Sequence, residues 1–206
     1  FVDAQIGRVL DKLEETGLDK NTIVILTSDH GYHLGEHGHW QKRTLFNHAT
    51  RVPLIFSGPG ISNNKGDVND PVELIDIYPT IMDVLNMDAP KFLSGKSLKP
   101  YLLGDRNQIR NEALTELRVW TPTGHAQGYS IKSRDYRFTK WIHNGILDSE
   151  LYDLKFDSAE LNNLSKDISY QKIKDSLLQV INKRIFEANS YPESLGRQIE
   201  NAIPIN

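Results

Sequence analysis

The chain has 206 residues, of which 38% are hydrophobic, and its 24 basic and 27 acidic residues leave a net charge of -3. This length and composition indicate a globular protein of one large or two small domains, and the nearly balanced charge predicts no nucleic-acid partner. The longest apolar runs fall far below the roughly 20 residues of a bilayer-spanning helix, so no membrane association is expected. The absence of cysteine excludes a disulfide or a cysteine nucleophile within these residues.

The first half of the chain alternates helical and extended patterns. In chain order it contains a helix over residues 1–16 closed by Gly17, a buried strand over 22–28, a long loop, a buried strand over 53–57, a polar turn over 62–70 and a helical segment over 72–85. Pro79 must lie near the start of a helix or at a kink, because it lacks an N–H group. This order of elements predicts an α/β fold.

From about residue 104 the chain changes to short alternating segments rich in aromatic residues, which is typical of an antiparallel sheet. The predicted strands cover residues 112–119, 126–132, 136–141 and 150–152, with turns at 133–135 and 144–145. Asp157 and the acidic residues after it predict a helix start, and periodicity predicts a longer helix over 173–188. The tail after Tyr191 receives no assignment. Residues 1–107 and 108–206 are therefore predicted to form two structural units.

The candidate site is the loop that follows the first predicted strand. Asp29 and His30 stand at the strand end, three glycines follow within ten residues, and five of the seven histidines fall between His30 and His48. Ligands bind beyond the carboxyl ends of strands in open α/β sheets. A carboxylate and a neutral imidazole suit Ca²⁺, Mg²⁺ or Mn²⁺, and Lys42 offers a positive charge to an anionic oxygen.

Taken singly, the same residues also have a structural interpretation. Asp29 would cap a turn, His30 would bond to backbone, and Lys42 would be a solvated surface lysine. The neighbouring loop residues are expected to support the loop, His37 and His39 through hydrogen bonds and Trp40 by packing. Five basic residues on the predicted sheet favour an ordinary solvated face, although they would also steer an anionic sugar; they are Arg118, Lys132, Arg134, Arg137 and Lys140.

Combined, these residues resemble the C-terminal half of the type I sulfatase core, in the alkaline-phosphatase-like superfamily. The resemblance is carried by Thr-Ser-Asp-His-Gly at 27–31, Leu-Gly-Glu-His-Gly at 34–38, Trp-Gln-Lys at 40–42 and Thr-Arg-Val-Pro-Leu-Ile at 50–55. Further matching segments lie at 73–80, 95–98, 128–131, 136–141 and 150–154, so the likeness covers about residues 1–165. It is closest to the iduronate-2-sulfatase branch, in which His follows the metal-binding Asp.

The resemblance implies both a fold and a set of roles. The fold would be the C-terminal part of an α/β sulfatase core, followed by a small α+β subdomain with a four-stranded antiparallel sheet. Asp29 and His30 would be two of the four protein ligands of a divalent cation, usually Ca²⁺, with Mg²⁺ and Mn²⁺ as alternatives. Lys42 would contact the sulfate oxygens. Tyr32 would face the sugar. Separately from the resemblance, His125 is expected to reach the substrate because it lies just before the segment at 128–131.

The nucleophile of this family is a formylglycine made from the Cys or Ser of a Cys/Ser-x-Pro-x-Arg motif, which this chain lacks. The nearest approach, Ser190-Tyr191-Pro192, has no Arg at the required position. We therefore expect a C-terminal fragment that requires the N-terminal half of the same protein and is inactive alone. The parent would hydrolyse a sulfated carbohydrate or a small sulfate ester. The alternatives are a phosphodiesterase or phosphonate monoester hydrolase of the same superfamily, and a non-catalytic carbohydrate-binding module.

Overall fold

The structure is a computed structural model that describes residues 1–61 and 67–190. The predicted polar turn at 62–70 falls partly, and the tail after Tyr191 wholly, outside the described residues. The helices are α1 (Val2–Glu15), α2 (Asn47–Thr50), α3 (Ile77–Val84), α4 (Lys99–Leu102) and α5 (Gln171–Asn189). The strands are β1 (Val24–Thr27), β2 (His33–Leu34), β3 (Trp40–Gln41), β4 (Leu54–Ser57), β5 (Glu112–Thr121), β6 (Gly124–Ser133), β7 (Tyr136–His143) and β8 (Ile146–Asp153). Short 3₁₀ helices cover Leu18–Asn21, Glu36–Gly38, Leu74–Asp76 and Ile168–Tyr170.

Helix α1 forms where the apolar spacing predicts it, and it ends as the sequence indicates. Gly17 follows the helix with φ of 68°, a left-handed conformation that glycine adopts without steric cost, and its N–H donates to the Glu14 carbonyl at 2.9 Å. None of the residues of α1 is buried, although the helix is amphipathic. Within the described part of the chain, no helix has both the length and the apolar content needed to cross a bilayer.

The two predicted core strands pair with each other, and they run antiparallel. β1 and β4 form a two-stranded sheet whose register pairs Val24 with Ser57 and Thr27 with Leu54. The carboxyl end of β1 therefore lies beside the amino end of β4. The loop that leaves β1 and the segment that enters β4 consequently meet at one edge of this sheet.

The helical segment predicted over 72–85 is two helices, as the proline suggested. The 3₁₀ helix Leu74–Asp76 leads directly into α3, and Pro79 is buried in the first turn of α3. Proline is tolerated there because an N–H group in the first helical turn has no intrahelical acceptor. Asp76 fixes this junction, because its carboxylate accepts from the backbone N–H groups of Glu73 at 2.9 Å and Lys96 at 2.8 Å.

The second half of the chain is built on the four-stranded antiparallel sheet β5-β6-β7-β8, which confirms the predicted fold. Side chains alternate between the two faces of a strand, so each face has its own chemistry. On one face, a buried apolar cluster joins the sheet to α5, and it consists of Ile131, Phe138, Leu151 and Ile181. The opposite face carries buried polar residues, Ser130, Arg137 and Thr139. The predicted boundary at residues 107 and 108 falls between α4 and β5 and stays a prediction.

The prediction of a helix that begins at Asp157 is wrong. Residues 157–160 form turns, in which the Asp157 carboxylate accepts from the N–H groups of Leu161 at 3.1 Å and Asn162 at 2.8 Å. Glu160 has φ of 59° and a side chain that is fully buried. An acidic residue that is typical of a first helical turn lies here inside the protein, because Arg137 neutralises its charge.

Candidate active site

Asp29, His30 and Lys42 come together because the loop after β1 folds back on itself. β2 and β3 pair antiparallel, with His33 opposite Gln41, so the chain that leaves His30 returns to it one residue after β3. Gly35, with φ of 125°, permits the reversal. As a result, the Lys42 ammonium nitrogen lies 2.7 Å from Nε2 of His30.

The tautomer of His30 follows from its hydrogen bonds. Nδ1 lies 2.7 Å from the Gly31 carbonyl, which can only accept, so Nδ1 carries the proton. Nε2 therefore presents a lone pair, which accepts from Lys42. A backbone acceptor on one ring nitrogen is the usual arrangement for a histidine that offers its other nitrogen to a metal.

The donor set of Asp29 and His30 fits two ligand positions of a divalent cation. Asp29 Oδ2 lies 3.5 Å from His30 Nε2, and the Asp29 side chain is 82% exposed. Two donors at about 2.3 to 2.6 Å from one ion, at a right angle to each other, are separated by about 3.3 to 3.7 Å. No group of three metal-binding side chains with suitable geometry occurs among residues 1–61 and 67–190. The role of Asp29 and His30 as metal ligands stays a prediction, and two donors alone do not complete a coordination shell.

The backbone beside Asp29 and His30 packs closely against the segment around α2. The Gly31 N–H donates to the Ala49 carbonyl at 2.8 Å, and a Cβ atom at Gly31 would lie only 2.0 Å from the His48 carbonyl oxygen. Gly31 therefore packs directly against the segment around α2. Any side chain at this position would push the two segments apart.

A buried ion pair connects α2 to the polar face of the four-stranded sheet. The Arg137 guanidinium pairs with Glu160, and it also donates to the Asn47 side chain at 2.7 Å and the Thr50 hydroxyl at 3.1 Å. The other Glu160 oxygen accepts from the Asn47 backbone N–H at 2.7 Å. Arg137 is 1% exposed, so the prediction that it lies on a solvated face of the sheet is wrong. The C-terminal sheet thereby positions the loop that carries the site.

The remaining loop histidines form an aromatic cluster, and the hydrogen bonds predicted for His37 are not observed, because its buried Nε2 has no partner within the described residues. His33 is fully buried and bonds through Nε2 to the Thr44 hydroxyl at 2.7 Å. The His37 ring stacks on Phe46 at 3.9 Å between centroids. Trp40, in contrast, is 67% exposed and does not pack inside the loop as predicted. The sequence does not reveal that the short β2–β3 ladder leaves this ring outward.

The His33 environment predicts a pH dependence of stability. The pKa of His33 lies below its usual 6.5, because burial disfavours the charged ring and the nearby His48, His39 and His37 add positive charge when protonated. The unfolded chain therefore takes up this proton first as the pH falls. The stabilising contribution is complete above pH 6.5 and is lost as the pH decreases from there toward the lower folded-state pKa.

We expect urea unfolding to show a larger stability loss between pH 7 and pH 5.5 for the unaltered chain than for a His33→Gln variant. His125→Gln is the matched control, since His125 is exposed. An identical pH dependence in the unaltered chain and the His33 variant would contradict the assignment.

The three site residues open into a cavity of about 2140 Å³. Its walls also contain several basic residues that the sequence did not single out as site residues, among them Arg51 and Lys132. Neither Tyr32 nor His125 lines this cavity: Tyr32 is 54% exposed, and His125 lies 3.0 Å from Arg118 on the β5–β6 hairpin. Their roles as substrate contacts stay predictions. Lys132 enters the cavity wall through tertiary packing, so its position there could not be predicted from the sequence.

The fold is that of the C-terminal region of type I sulfatases. A 2-O GAG sulfatase superposes with a TM-score of 0.83 at 29% identity, over 91% of this chain and 41% of that one. A protein crystallised with its substrate D-glucosamine-2-N,6-O-disulfate superposes with a TM-score of 0.76 at 31% identity, over 94% and 40%. A phosphonate monoester hydrolase of Silicibacter pomeroyi reaches a TM-score of 0.76 at 28% identity, over 90% and 39%.

The chain belongs to the family described as N-sulphoglucosamine sulphohydrolase, C-terminal, which matches residues 35–187. A sulfatase of Formosa agariphila is 34% identical over 183 residues, which cover 89% of this chain and 34% of that protein. An N-acetylglucosamine-6-O-sulfatase of Bacteroides thetaiotaomicron is 33% identical over 186 residues, which cover 87% and 33%. The chain thus spans about a third of the length of these relatives, and its likeness to the C-terminal region of type I sulfatases is confirmed.

Proposed function

We propose that this chain supplies the C-terminal part of the active site of a sulfuric ester hydrolase that acts on sulfated sugars. The observation that carries the proposal is the convergence of Lys42 and Asp29 on the Nε2 atom of His30, at 2.7 and 3.5 Å. The relatives named for an N-acetylglucosamine 6-O-sulfate and a 2-O-sulfated GAG support a sulfated sugar as substrate. Iduronate 2-sulfate is the first substrate to test, because of the Asp-His pair.

Asp29 and His30 would hold a divalent cation, for which we propose Ca²⁺, together with ligands from outside these 206 residues. A bound cation supplies Lewis-acid stabilisation of charge on the ester oxygens. The Nε2 lone pair of His30 serves either the cation or the Lys42 ammonium, not both at once. Lys42 would then be available to neutralise a sulfate oxygen, and the Gly31 carbonyl would keep the tautomer of His30 fixed.

The nucleophile would come from polypeptide outside these residues, because the chain contains no Cys/Ser-x-Pro-x-Arg motif. We propose a formylglycine in the N-terminal half of the same protein, and that this chain alone does not release sulfate. The apolar face of α1 offers a surface for that half, since Phe1 is 97% and Val2 and Val9 are each 68% exposed. The open edges of the β1–β4 sheet offer backbone groups for further strand pairing.

Removing the Lys42 ammonium is expected to lower kcat/KM for a sulfated sugar by about a hundredfold to a thousandfold, the range for losing one donor to a developing oxyanion. The test is a Lys42→Ala variant of the full-length parent, assayed for sulfate release from iduronate 2-sulfate and an aryl sulfate, with and without a chelator. Lys20→Ala is the matched control, because Lys20 is exposed and does not line the cavity. Release that is independent of metal, or of Lys42, counts against the proposed function.

The resemblance to a phosphonate monoester hydrolase supports a second candidate function within the same superfamily. The same full-length protein, offered a sulfate ester and a phosphonate monoester of the same alcohol, separates the two. A higher kcat/KM for the phosphonate would favour the second candidate. A phosphodiester of that alcohol distinguishes the phosphodiesterase alternative in the same assay.

A non-catalytic carbohydrate-binding module is the candidate from another functional class. Calorimetry of the 206-residue chain with Ca²⁺ and a sulfated oligosaccharide addresses it. Micromolar or tighter binding, combined with no hydrolysis by the full-length parent, would favour a binding module over an enzyme.

A further inference from the structure

Five basic side chains that line the cavity form no ion pair within the described part of the chain: Lys42, Arg51, Lys96, Arg106 and Lys132. Arg51, just before β4, and Lys132, on β6, line the same cavity as Asp29, His30 and Lys42. Neither Arg51 nor Lys132 belongs to any ion pair formed within residues 1–61 and 67–190. Uncompensated cations in a concave, partly desolvated site attract anions more strongly than they would on an open surface.

The backbone places Arg51 at the end of the sheet that carries the predicted metal ligands. The β1–β4 ladder ends at the pair Thr27 and Leu54. Just beyond it, the Gly31 N–H donates to the Ala49 carbonyl at 2.8 Å. Arg51 lies between these two backbone contacts, so its backbone passes directly beside residues 29 and 30.

Lys132 reaches the cavity from the polar face of the four-stranded sheet. The register of β6 and β7 pairs it directly with Arg137, so both side chains are on the same face. Glu160 pairs directly with Arg137, and Lys132 itself forms no ion pair within the described residues. The pKa of Lys132 is lowered by burial and then by the positive charges of Arg137 and Arg51, which outweigh the opposite effect of Glu160. A bound anion would relieve this unfavourable charge.

We propose that Arg51 and Lys132 form a second anion subsite, which binds a carboxylate or a second sulfate on the sugar whose sulfate ester contacts Lys42. The inference rests on the proposed function and deepens it, because it restricts the substrate class to sugars with at least two anionic groups. The cavity volume of about 2140 Å³ leaves room for such a ligand, since pockets for small molecules occupy about 300 to 1,000 Å³.

The test is an NMR titration of the 206-residue chain, which lacks the nucleophile motif and is therefore not expected to consume its ligands. The three probes are N-acetyl-D-glucosamine 6-sulfate, which has no second charged group, D-glucosamine-2-N,6-O-disulfate, whose second group is a sulfate, and iduronate 2-sulfate, whose second group is a carboxylate. The unaltered chain is expected to bind at least one of the two doubly charged sugars about fivefold more tightly than the monosulfate, the upper end of the gain from one additional exposed ion pair. Whichever gains affinity identifies the group that the subsite accepts.

Lys132→Met and Arg51→Met are each expected to remove this gain and leave the affinity for N-acetyl-D-glucosamine 6-sulfate within twofold. Lys42→Met is expected to weaken all three ligands, and Lys20→Met none. The spectra of each variant report whether it is folded, and the two subsite variants lie on different elements, so one remains informative if the other fails to fold. The proposed subsite is overturned if the doubly charged sugars do not bind, or if they bind no more tightly than the monosulfate. It is also overturned if they still bind more tightly than the monosulfate in both variants. Hydrolysis by the full-length parent tests the proposed function separately.

Discussion

Replacing Glu160 by Ala is expected to lower the free energy of unfolding by about 3 to 5 kcal/mol, the usual cost of removing one partner from a buried ion pair. The reason is that Arg137 is 1% exposed and would keep its charge with no carboxylate beside it. The same change removes the acceptor of the Asn47 N–H group. Urea unfolding monitored by circular dichroism measures the loss.

A double-mutant cycle separates the ion pair from general disruption. The variant Arg137→Met/Glu160→Ala is expected to be less destabilised than the sum of the two single variants, because the second change removes the unpaired charge. The exposed pair of Lys155 and Asp135 provides a matched control, and Lys155→Met should cost less than about 1 kcal/mol. Additive losses in the cycle would mean that Arg137 and Glu160 do not act as a pair.

Gly31→Ala is expected to destabilise the chain by about 3 kcal/mol, at the upper end of the cost of overpacking, because the new methyl group meets backbone and not a flexible side chain. Its Cβ atom would lie 2.0 Å from the His48 carbonyl oxygen and 3.0 Å from the carbon of that carbonyl. Relief requires the strand-end loop and the α2 segment to separate, which displaces His30. Urea unfolding measures the stability, and NMR shifts of the His30 ring report the displacement.

Gly7 supplies the control for Gly31, because a Cβ atom there would have no other atom within 4 Å and the residue lies inside α1. Gly7→Ala should raise stability by about 0.5 to 1 kcal/mol through helix propensity. If Gly31→Ala unfolds at the same urea concentration as the unaltered chain, the close packing of the two segments is not present in solution.

Local patterns in the sequence were sufficient for most of the elements. Helical spacing of apolar residues predicted α1 and α5, and alternation predicted the four strands of the antiparallel sheet with turns at 133–135 and 144–145. Such patterns succeed because each element buries one face, and the period of the buried residues records it. The prediction of a helix at Asp157 was wrong because a carboxylate can accept backbone hydrogen bonds in a turn as well as at the start of a helix. Only the position of Arg137 explains why the Glu160 side chain is buried.

The candidate site divides in the same way. The strand end, the Asp-His pair and the returning Lys42 were predicted, because chain order and glycine spacing constrain a short loop. The sequence offered no means to predict that β4 runs antiparallel to β1, which brings Arg51 beside the site. Likewise, Lys132 has the same alternating pattern as any solvated strand residue, and only packing of the sheet against α2 turns it toward the cavity.

By itself, the sequence determined most of the helices and strands and identified one loop as the candidate site, because propensity, periodicity and residue type are properties of neighbouring residues. Tertiary structure alone decided which charges are buried and paired, and which stay free in the cavity. Those outcomes depend on contacts between residues far apart in the chain, such as Asn47 with Glu160, whose separation no local pattern encodes. The ion pair that positions the loop and the cations proposed to select the substrate are both of this kind.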